Sequence, residues 1–426
     1  MTILEKAKKG IITEEMKKVA EFEDVDPEFI RKGVEEGSIV IPKNKLRNIE
    51  NIKGIGKGLR TKINVNIGSS PFHMNTKEEI EKAKLSMEYG ADSIMDLSIG
   101  SKMNEIRKKV VEISTIPVGT VPIYQTAFEL SAKGKSITDM TIKDFLKTVE
   151  SQAKEGIDFM TIHAGINLNT LRALDRSNRV LDVVSRGGSL IITWMRKNKK
   201  ESPLYAYFDE ILNILAEYDV TISLGDGMRP GAVADATDKA QIMELVTLGE
   251  MASRAREKGV QVIIEGPGHI PINMIEENIK LQKILTKNAP FFVLGPLVTD
   301  IAAGYDHIAG AIGSALAAYY GADFLCCVTP AEHLRLPAPE HLIEGIIAFK
   351  IAAHAADLAE GKKHAFEIDN KMSKARKNLD WETQIKMSIN PKRAKELRES
   401  SKIGEKEICT MCGEFCAIKT IKNARL

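Results

Sequence analysis

The chain has 426 residues, of which 43% are hydrophobic, 28% charged and 5% aromatic, with 60 basic against 58 acidic side chains and a net charge of +2. That near-neutral balance suggests neither nucleic-acid nor membrane binding, and the length allows one large domain with smaller flanking pieces. Residues 1–20 are charged throughout, without the apolar core of a signal peptide, and the weakly polar run 308–322 is too short to span a bilayer.

Residues 1–60 read as a separate N-terminal module. Residues 1–22 carry the spacing of one or two amphipathic helices, and Asp26-Pro27 supplies a cap and a first turn for another. Ile39-Val-Ile-Pro42 is short and extended, and Gly54, Gly56 and Gly58 interrupt the chain before the next element. From residue 61 the texture changes. Short apolar runs recur at 63–67, 93–97, 117–121, 159–163, 180–184, 220–224, 262–264, 291–294 and 324–328, with helical stretches such as 77–89 and 240–258 between several of them. Alternating strand and helix is the pattern of parallel α/β architecture. No Gly-rich turn follows the first strand, and the repeat number favours a (β/α)8 barrel of the TIM type over residues 61–340. Nine candidate strands are one too many, so one run lies outside the barrel. Beyond Ala338 the pattern is helical through Asp357, and the charged segment 362–406 then leads to the chain's end. Residues 341–426 thus read as a helical C-terminal region ending in a mobile arm.

The segments that follow the runs carry the chemistry. In order they are Asn66-Ile-Gly-Ser-Ser, Met95-Asp-Leu-Ser, Pro122-Ile-Tyr124, His163-Ala-Gly, Ser185-Arg-Gly-Gly188, Gly225-Asp-Gly-Met-Arg229, Glu265-Gly-Pro-Gly-His269 and Thr329-Pro-Ala-Glu-His333. Polar groups at the C-terminal ends of barrel strands are where barrel enzymes build their sites. Ser185-Arg-Gly-Gly resembles an anion cradle and Arg229 adds a second guanidinium, which suits a phosphate ester; the competing reading is an Arg–Asp pair tying two loops. Asn66, Tyr124 and His163 suit a polar ring or ribose hydroxyls. His269 and His333, with Glu265 and Glu332 nearby, could hold a divalent metal or simply position a substrate by hydrogen bonds. Tyr305-Asp-His307 reads as a helix start, and Met95 as core.

Three of the five cysteines, Cys409, Cys412 and Cys416, fall within eight residues near the end, and Cys326-Cys327 lie in a run expected to be a buried strand. Clustered rather than spread, they indicate a reducing cytoplasm and no disulfide framework. Three thiolates in one loop suit a 4Fe-4S cluster with one open iron, zinc with an imported fourth ligand, or a redox thiol pair. A non-catalytic zinc-binding interaction protein is a further reading, but the residues after Cys416 offer no fourth ligand.

Taken together, Glu265-Gly-Pro-Gly-His-Ile-Pro, Gly304-Tyr-Asp-His-Ile, Val328-Thr-Pro-Ala-Glu-His, Ser185-Arg-Gly-Gly and the terminal Cys-x-x-Cys-Gly-x-Phe-Cys resemble the thiamin-pyrimidine synthase (ThiC) family of non-standard radical S-adenosylmethionine enzymes. The resemblance implies a homodimer of (β/α)8 barrels in which a C-terminal arm carries a 4Fe-4S cluster to a barrel mouth. It implies 5-aminoimidazole ribonucleotide as substrate, and an electron donor of flavodoxin or ferredoxin type. By motif, Asn66, Met95, Tyr124, His163, Ser185, Arg186, Gly187, Asp226, Gly227, Met228, Arg229 and Glu265 would line the substrate site. His269 and His333 would bind zinc or iron(II), and Cys409, Cys412 and Cys416 the cluster. The open iron would bind S-adenosylmethionine, whose reductive cleavage yields a radical that abstracts hydrogen from the substrate ribose; the barrel orients the ring and excludes water.

The chain departs from the family pattern at Phe292 and Cys327, where tyrosine is usual, at Ala164, where cysteine is usual, and at Ala303, where proline is usual. Phe292 falls in a substrate-contacting place, and losing a phenol there removes a hydrogen-bond partner. Departures gathered around a pocket, beside intact metal and phosphate motifs, favour the family's 5-hydroxybenzimidazole synthase branch, which makes a cobamide lower ligand, over the thiamin pyrimidine synthase.

Overall fold

Eight of the nine apolar runs are strands of one closed, all-parallel barrel in the computed structural model, which describes residues 1–400 and 408–424. A short antiparallel pair, β1 (Ile39–Val40) and β2 (Ile55–Gly56), precedes it. The barrel strands are β3 (Lys62–Ile67), β4 (Ser93–Asp96), β5 (Val118–Thr120), β6 (Phe159–Ile162), β7 (Thr221–Leu224), β8 (Val262–Gly266), β9 (Phe291–Leu294) and β10 (Phe324–Cys326). They pair in sequence order, and β10 closes on β3 through Phe324↔Lys62 and Cys326↔Asn64. Helices between them cover the outer face, as parallel strands buried on both sides require.

The surplus run is 180–184. Val180 is 69% exposed, and the N–H groups of Val180 and Leu181 donate to the Asp235 carboxylate at 2.7 and 2.9 Å rather than to a strand. Side-chain acceptors therefore satisfy this backbone, and its apolar residues gain no burial from joining the sheet.

The N-terminal residues carry their own apolar cluster, including Leu4, Met16, Val19, Ile30 and Val34, and its hydrogen bonds run to the N-terminal ends of the barrel strands. Just ahead of β7, Asp219 accepts the Ile3 N–H at 2.8 Å, and just ahead of β8, Gln261 exchanges hydrogen bonds with Ile41 at 2.7 and 3.1 Å. Just ahead of β6, Asp158 accepts the Asn44 N–H at 2.9 Å and pairs with Arg47. At the base of β3 the Lys62 ammonium, fully buried, meets the equally buried Glu23 at 2.7 Å. These N-terminal residues, in the same compact unit as the barrel, thus close one of its ends, and the C-terminal ends of the strands stay open.

The chain divides into two compact units, Met1–Ala356 and Asp357–Leu426, and the long helix Pro339–Ala359 runs across the division. The second unit contains helices Lys363–Lys377, Trp381–Met387 and Pro391–Ser400, then the cysteine turn and the helix Ala417–Ala424. Among the described residues, no helix is long and apolar enough to cross a membrane.

Candidate functional site

Alternation along each strand sends every second side chain into the barrel. Three phenylalanines floor the interior: Phe292 stacks on Phe324 with centroids 4.2 Å apart, and Phe159 meets Phe324 edge-on at 6.4 Å. Gly119 faces Phe159, and a Cβ there would lie 2.3 Å from the ring, so only glycine leaves the ring its space. One step further along the strands the lining turns polar. Ser93 Oγ donates to Asn64 Oδ1 (2.7 Å), Asn64 Nδ2 to Asn66 Oδ1 (2.9 Å), and Asn66 Nδ2 to the Cys326 sulfur (3.2 Å).

The open end holds a pocket lined by Asn66, Met95, Tyr124, His163, Asp226, Arg229, Glu265 and Phe292, joined by Thr161 and Cys326. Eight of the expected substrate residues meet there; the other five stand around it. Ser185 caps the helix Arg186–Asn198, taking the Gly188 N–H at 3.2 Å, and lies 3.2 Å from His163 Nε2. With Ser185 Oγ accepting from the backbone, its own proton is free for Nε2. This assigns the His163 proton to Nδ1, a buried atom with no protein partner. Gly187 packs against the same ring, where a Cβ would come within 2.2 Å of it. The Arg186 guanidinium sits 4.8 Å from the centre of the Tyr124 ring. Asp226 and Arg229 pair within one loop at 3.1 Å rather than tying two loops together.

Gly227 and Met228 act through their backbone. Their N–H groups donate to the two oxygens of Glu244 at 2.9 and 2.7 Å, and Arg179 donates to the Met228 carbonyl at 2.6 Å while pairing with Asp238. A buried carboxylate from the outer helix Lys239–Glu257 therefore fixes the loop that presents Asp226 and Arg229.

Burial governs the titration of this pocket. Loss of water, followed by the nearby Arg229 charge, drives His163 down to about 3, so its imidazole is neutral. Burial and then the Asp226 charge push Glu265 up to about 7. Hydrogen bonds from Thr161 Oγ1 (2.6 Å) and Ser223 Oγ (2.7 Å), both to Oε1, oppose that rise and leave Oε2 for the pocket. Asp226 is likewise raised by burial, against the pull of Arg229, and its Oδ2 has no protein partner.

His269 and His333 come together with their Nε2 atoms 3.3 Å apart. Glu265 and Glu332 do not join them: Glu265 is held by the two hydroxyls, and Glu332 is exposed. The carboxylates at the pair are instead Asp300, 2.8 Å from His269 Nδ1, and Asp306, 3.0 Å from His333 Nδ1. Two nitrogens bound tetrahedrally to zinc at about 2.0–2.1 Å stand roughly 3.3–3.4 Å apart, so the donor pair fits a metal ion. Among the described residues no three His, Cys, Asp or Glu side chains form a metal-binding group.

Cys409, Cys412 and Cys416 are free thiols on a tight turn. The Gly413 N–H returns to the Cys409 carbonyl at 3.1 Å and the Phe415 N–H to that of Cys412 at 3.0 Å, with Gly413 at φ 52°. Three unpaired sulfurs on one short turn, Cys412 exposed, suit a cluster that brings its own sulfide.

The Radical SAM ThiC family matches residues 2–423. The chain belongs to that family. Phosphomethylpyrimidine synthase of Thermoanaerobacter sp. strain X514 is 55% identical over 425 residues, covering 99% of this chain and 98% of that one. The Methanocaldococcus jannaschii protein of the same name is 54% identical over 423 residues, 99% of each chain. That of Thermodesulfovibrio yellowstonii is 52% identical over 425 residues, 100% of each. ThiC membership makes this a radical enzyme, for which a cluster and S-adenosylmethionine are the working parts.

Several sequence-based expectations change. Tyr305-Asp-His307 does start a helix, Asp306–Tyr319, but the Asp306 side chain reaches His333 instead of capping it. Cys326 is buried as expected yet lines the pocket beside Asn66. Ser185-Arg-Gly-Gly188 follows the exposed loop 180–184, not a strand. Of the four departures from the ThiC pattern, only Phe292 lines the pocket. Ala164 is fully buried, Ala303 is exposed, and Cys327, next to the pocket-facing Cys326, does not line it. Phe292 alone then favours the 5-hydroxybenzimidazole branch, and the similar proteins carry the other name.

Proposed function

We propose that this chain makes the phosphorylated pyrimidine of thiamin from 5-aminoimidazole ribonucleotide, as a phosphomethylpyrimidine synthase. The observation that carries this reading is end-to-end identity above half with proteins of that name, joined to a pocket whose polar groups match the substrate's. Arg186 opens the helix Arg186–Asn198, and it and Arg229 both act on Tyr124, which gives a setting for the phosphate. The free Nδ1–H of His163 and Asn66 read ring or ribose oxygens, and Glu265 and Asp226 accept from the amino and hydroxyl groups. Met95, Tyr124 and Phe292 supply apolar and aromatic faces, with Gly187 and the backbone of Gly227 and Met228 shaping the wall.

In this reading Cys409, Cys412 and Cys416 hold the 4Fe-4S cluster, which with S-adenosylmethionine supplies the hydrogen-abstracting radical. His269 and His333 hold zinc or iron(II). A flavodoxin- or ferredoxin-type protein donates the electron, and the working form is a homodimer. The barrel keeps a reactive substrate oriented and away from water.

The test is anaerobic reconstitution with iron and sulfide, followed by incubation with S-adenosylmethionine, a reductant and the ribonucleotide. The reading expects absorption near 400 nm, roughly where such clusters absorb, and 5′-deoxyadenosine released only when the ribonucleotide is present. A reconstituted chain that cleaves nothing with the ribonucleotide present would overturn it.

A further inference from the structure

The His269 and His333 rings face each other through Nε2, and the Nδ1 edge of each is also engaged. Asp300 Oδ1 lies 2.8 Å from His269 Nδ1, and Asp306 Oδ1 lies 3.0 Å from His333 Nδ1. A carboxylate only accepts, so each Nδ1 carries a proton, and in a neutral imidazole the other nitrogen then presents a lone pair. The two Nε2 lone pairs face each other across 3.3 Å, an arrangement that is repulsive when empty and favourable around a cation.

The two halves are not held equally. His269 is 9% exposed, and its loop is pinned on both sides: its N–H donates to Pro230 O at 3.0 Å, Ile270 N–H to Leu297 O at 3.0 Å, and Leu297 N–H to Gly268 O at 3.0 Å. Asp300 is itself 38% exposed and also takes the Val233 N–H at 3.1 Å. His333 is 45% exposed, on a turn held by Glu332 N–H to Thr329 O at 3.2 Å and by Leu334 and Arg335 N–H to Ala331 O at 2.9 and 3.0 Å, and its ring meets Asp306 and His269. Asp306 is 3% exposed, at the first residue of a helix of 14 residues, and its Oδ2 has no partner. A buried carboxylate with one oxygen committed to a half-exposed imidazole and the other unpartnered is an unfavourable placement unless it serves that ring.

We propose that Asp300 and Asp306 are positioning residues that fix the proton and orientation of His269 and His333 for a metal ion, with Asp306 the more important of the two. The inference rests on the histidine assignment above. A ring enclosed by packing, like that of His269, keeps its aim when its carboxylate is lost, whereas one half in solvent, like that of His333, does not, and such partners typically tune affinity by about 10–100-fold.

Zinc affinity of the purified chain, measured by competition with a chromophoric chelator, tests this without reference to turnover. Asp306→Ala should weaken zinc binding by about 10-fold or more and Asp300→Ala by less. Asp306→Asn, which keeps shape and an acceptor oxygen, should recover much of the loss and guards against a folding defect. Cobalt(II) in place of zinc should give a visible spectrum altered in Asp306→Ala. If both alanine variants bind zinc like the parent while His269→Ala and His333→Ala do not, the inference fails and the histidine assignment stands. If the parent chain binds no zinc at the pair, both fail.

Discussion

Ser223 offers the cleanest probe of how the pocket works, because it is fully buried, does not line the pocket, and acts on it only through Glu265. Ser223→Ala deletes one of the two hydroxyls that donate to Glu265 Oε1. A hydrogen bond to a charged group contributes about 1.5–3 kcal/mol, and 1.36 kcal/mol corresponds to one pKa unit, so Glu265 should rise by about 1–2 units. Starting from about 7, it would titrate near 8–9. At pH 7 its ionised fraction would fall from about one-half to between about one-tenth and one-hundredth. Binding of 5-aminoimidazole ribonucleotide, read by calorimetry from pH 6 to 9.5, should weaken by roughly 5–50-fold at pH 7 and recover at the alkaline end. Stability changes in step. Glu265 is raised above its ordinary 4.5, so its contribution is fully present below that value and lost as pH climbs through about 7. In the variant the loss extends to higher pH, and the deficit in unfolding free energy should be larger at pH 9 than at pH 5. A binding profile whose midpoint stays put, beside a Glu265→Gln variant that removes the pH dependence altogether, would refute the hydroxyl argument.

Three further outcomes follow from the same geometry. Glu244→Ala leaves the Gly227 and Met228 N–H groups without their acceptor, at about 1–3 kcal/mol each; urea unfolding should register a loss of roughly 2–6 kcal/mol, and a negligible loss would mean the loop is held by other contacts. Lys62→Met removes the nearest cation from the buried Glu23 carboxylate, leaving it the Arg60 N–H at 2.9 Å and the Arg60 guanidinium at 3.8 Å, and should cost up to about 3–5 kcal/mol, while the double change with Glu23→Leu should restore most of it; equal losses in single and double variants would contradict that account. Cys412→Ala should abolish S-adenosylmethionine cleavage without moving the barrel's unfolding midpoint, because Cys412 is exposed and lies in the second unit; a shift like that of a core deletion would argue otherwise.

The barrel was legible because its strands are short apolar runs with polar exits, a pattern that burial on both faces imposes. The run 180–184 misled for a physical reason: its apolar residues mimic a strand, and the acceptor that claims its backbone, Asp235, lies some 50 residues downstream. The same limit hid the supports of the site. Thr161 and Ser223 sit within strands, two residues before the exits that drew attention, and only inward alternation could have flagged them. Glu244 is one acidic residue on a long helix, indistinguishable by spacing from a solvated one. Asp306 stood inside a motif already singled out, but helix-capping residues are common and nothing local tied it to a histidine 27 positions later. Motifs identify the groups that meet a ligand, whereas the partners that aim those groups come from distant parts of the chain.

Product identity tests the central claim most directly. Reconstituted enzyme given 5-aminoimidazole ribonucleotide, S-adenosylmethionine and a reductant under anaerobic conditions should yield a phosphorylated aminopyrimidine by mass spectrometry, together with 5′-deoxyadenosine and methionine. A hydroxybenzimidazole in its place would contradict the account and return Phe292 to the centre of product control.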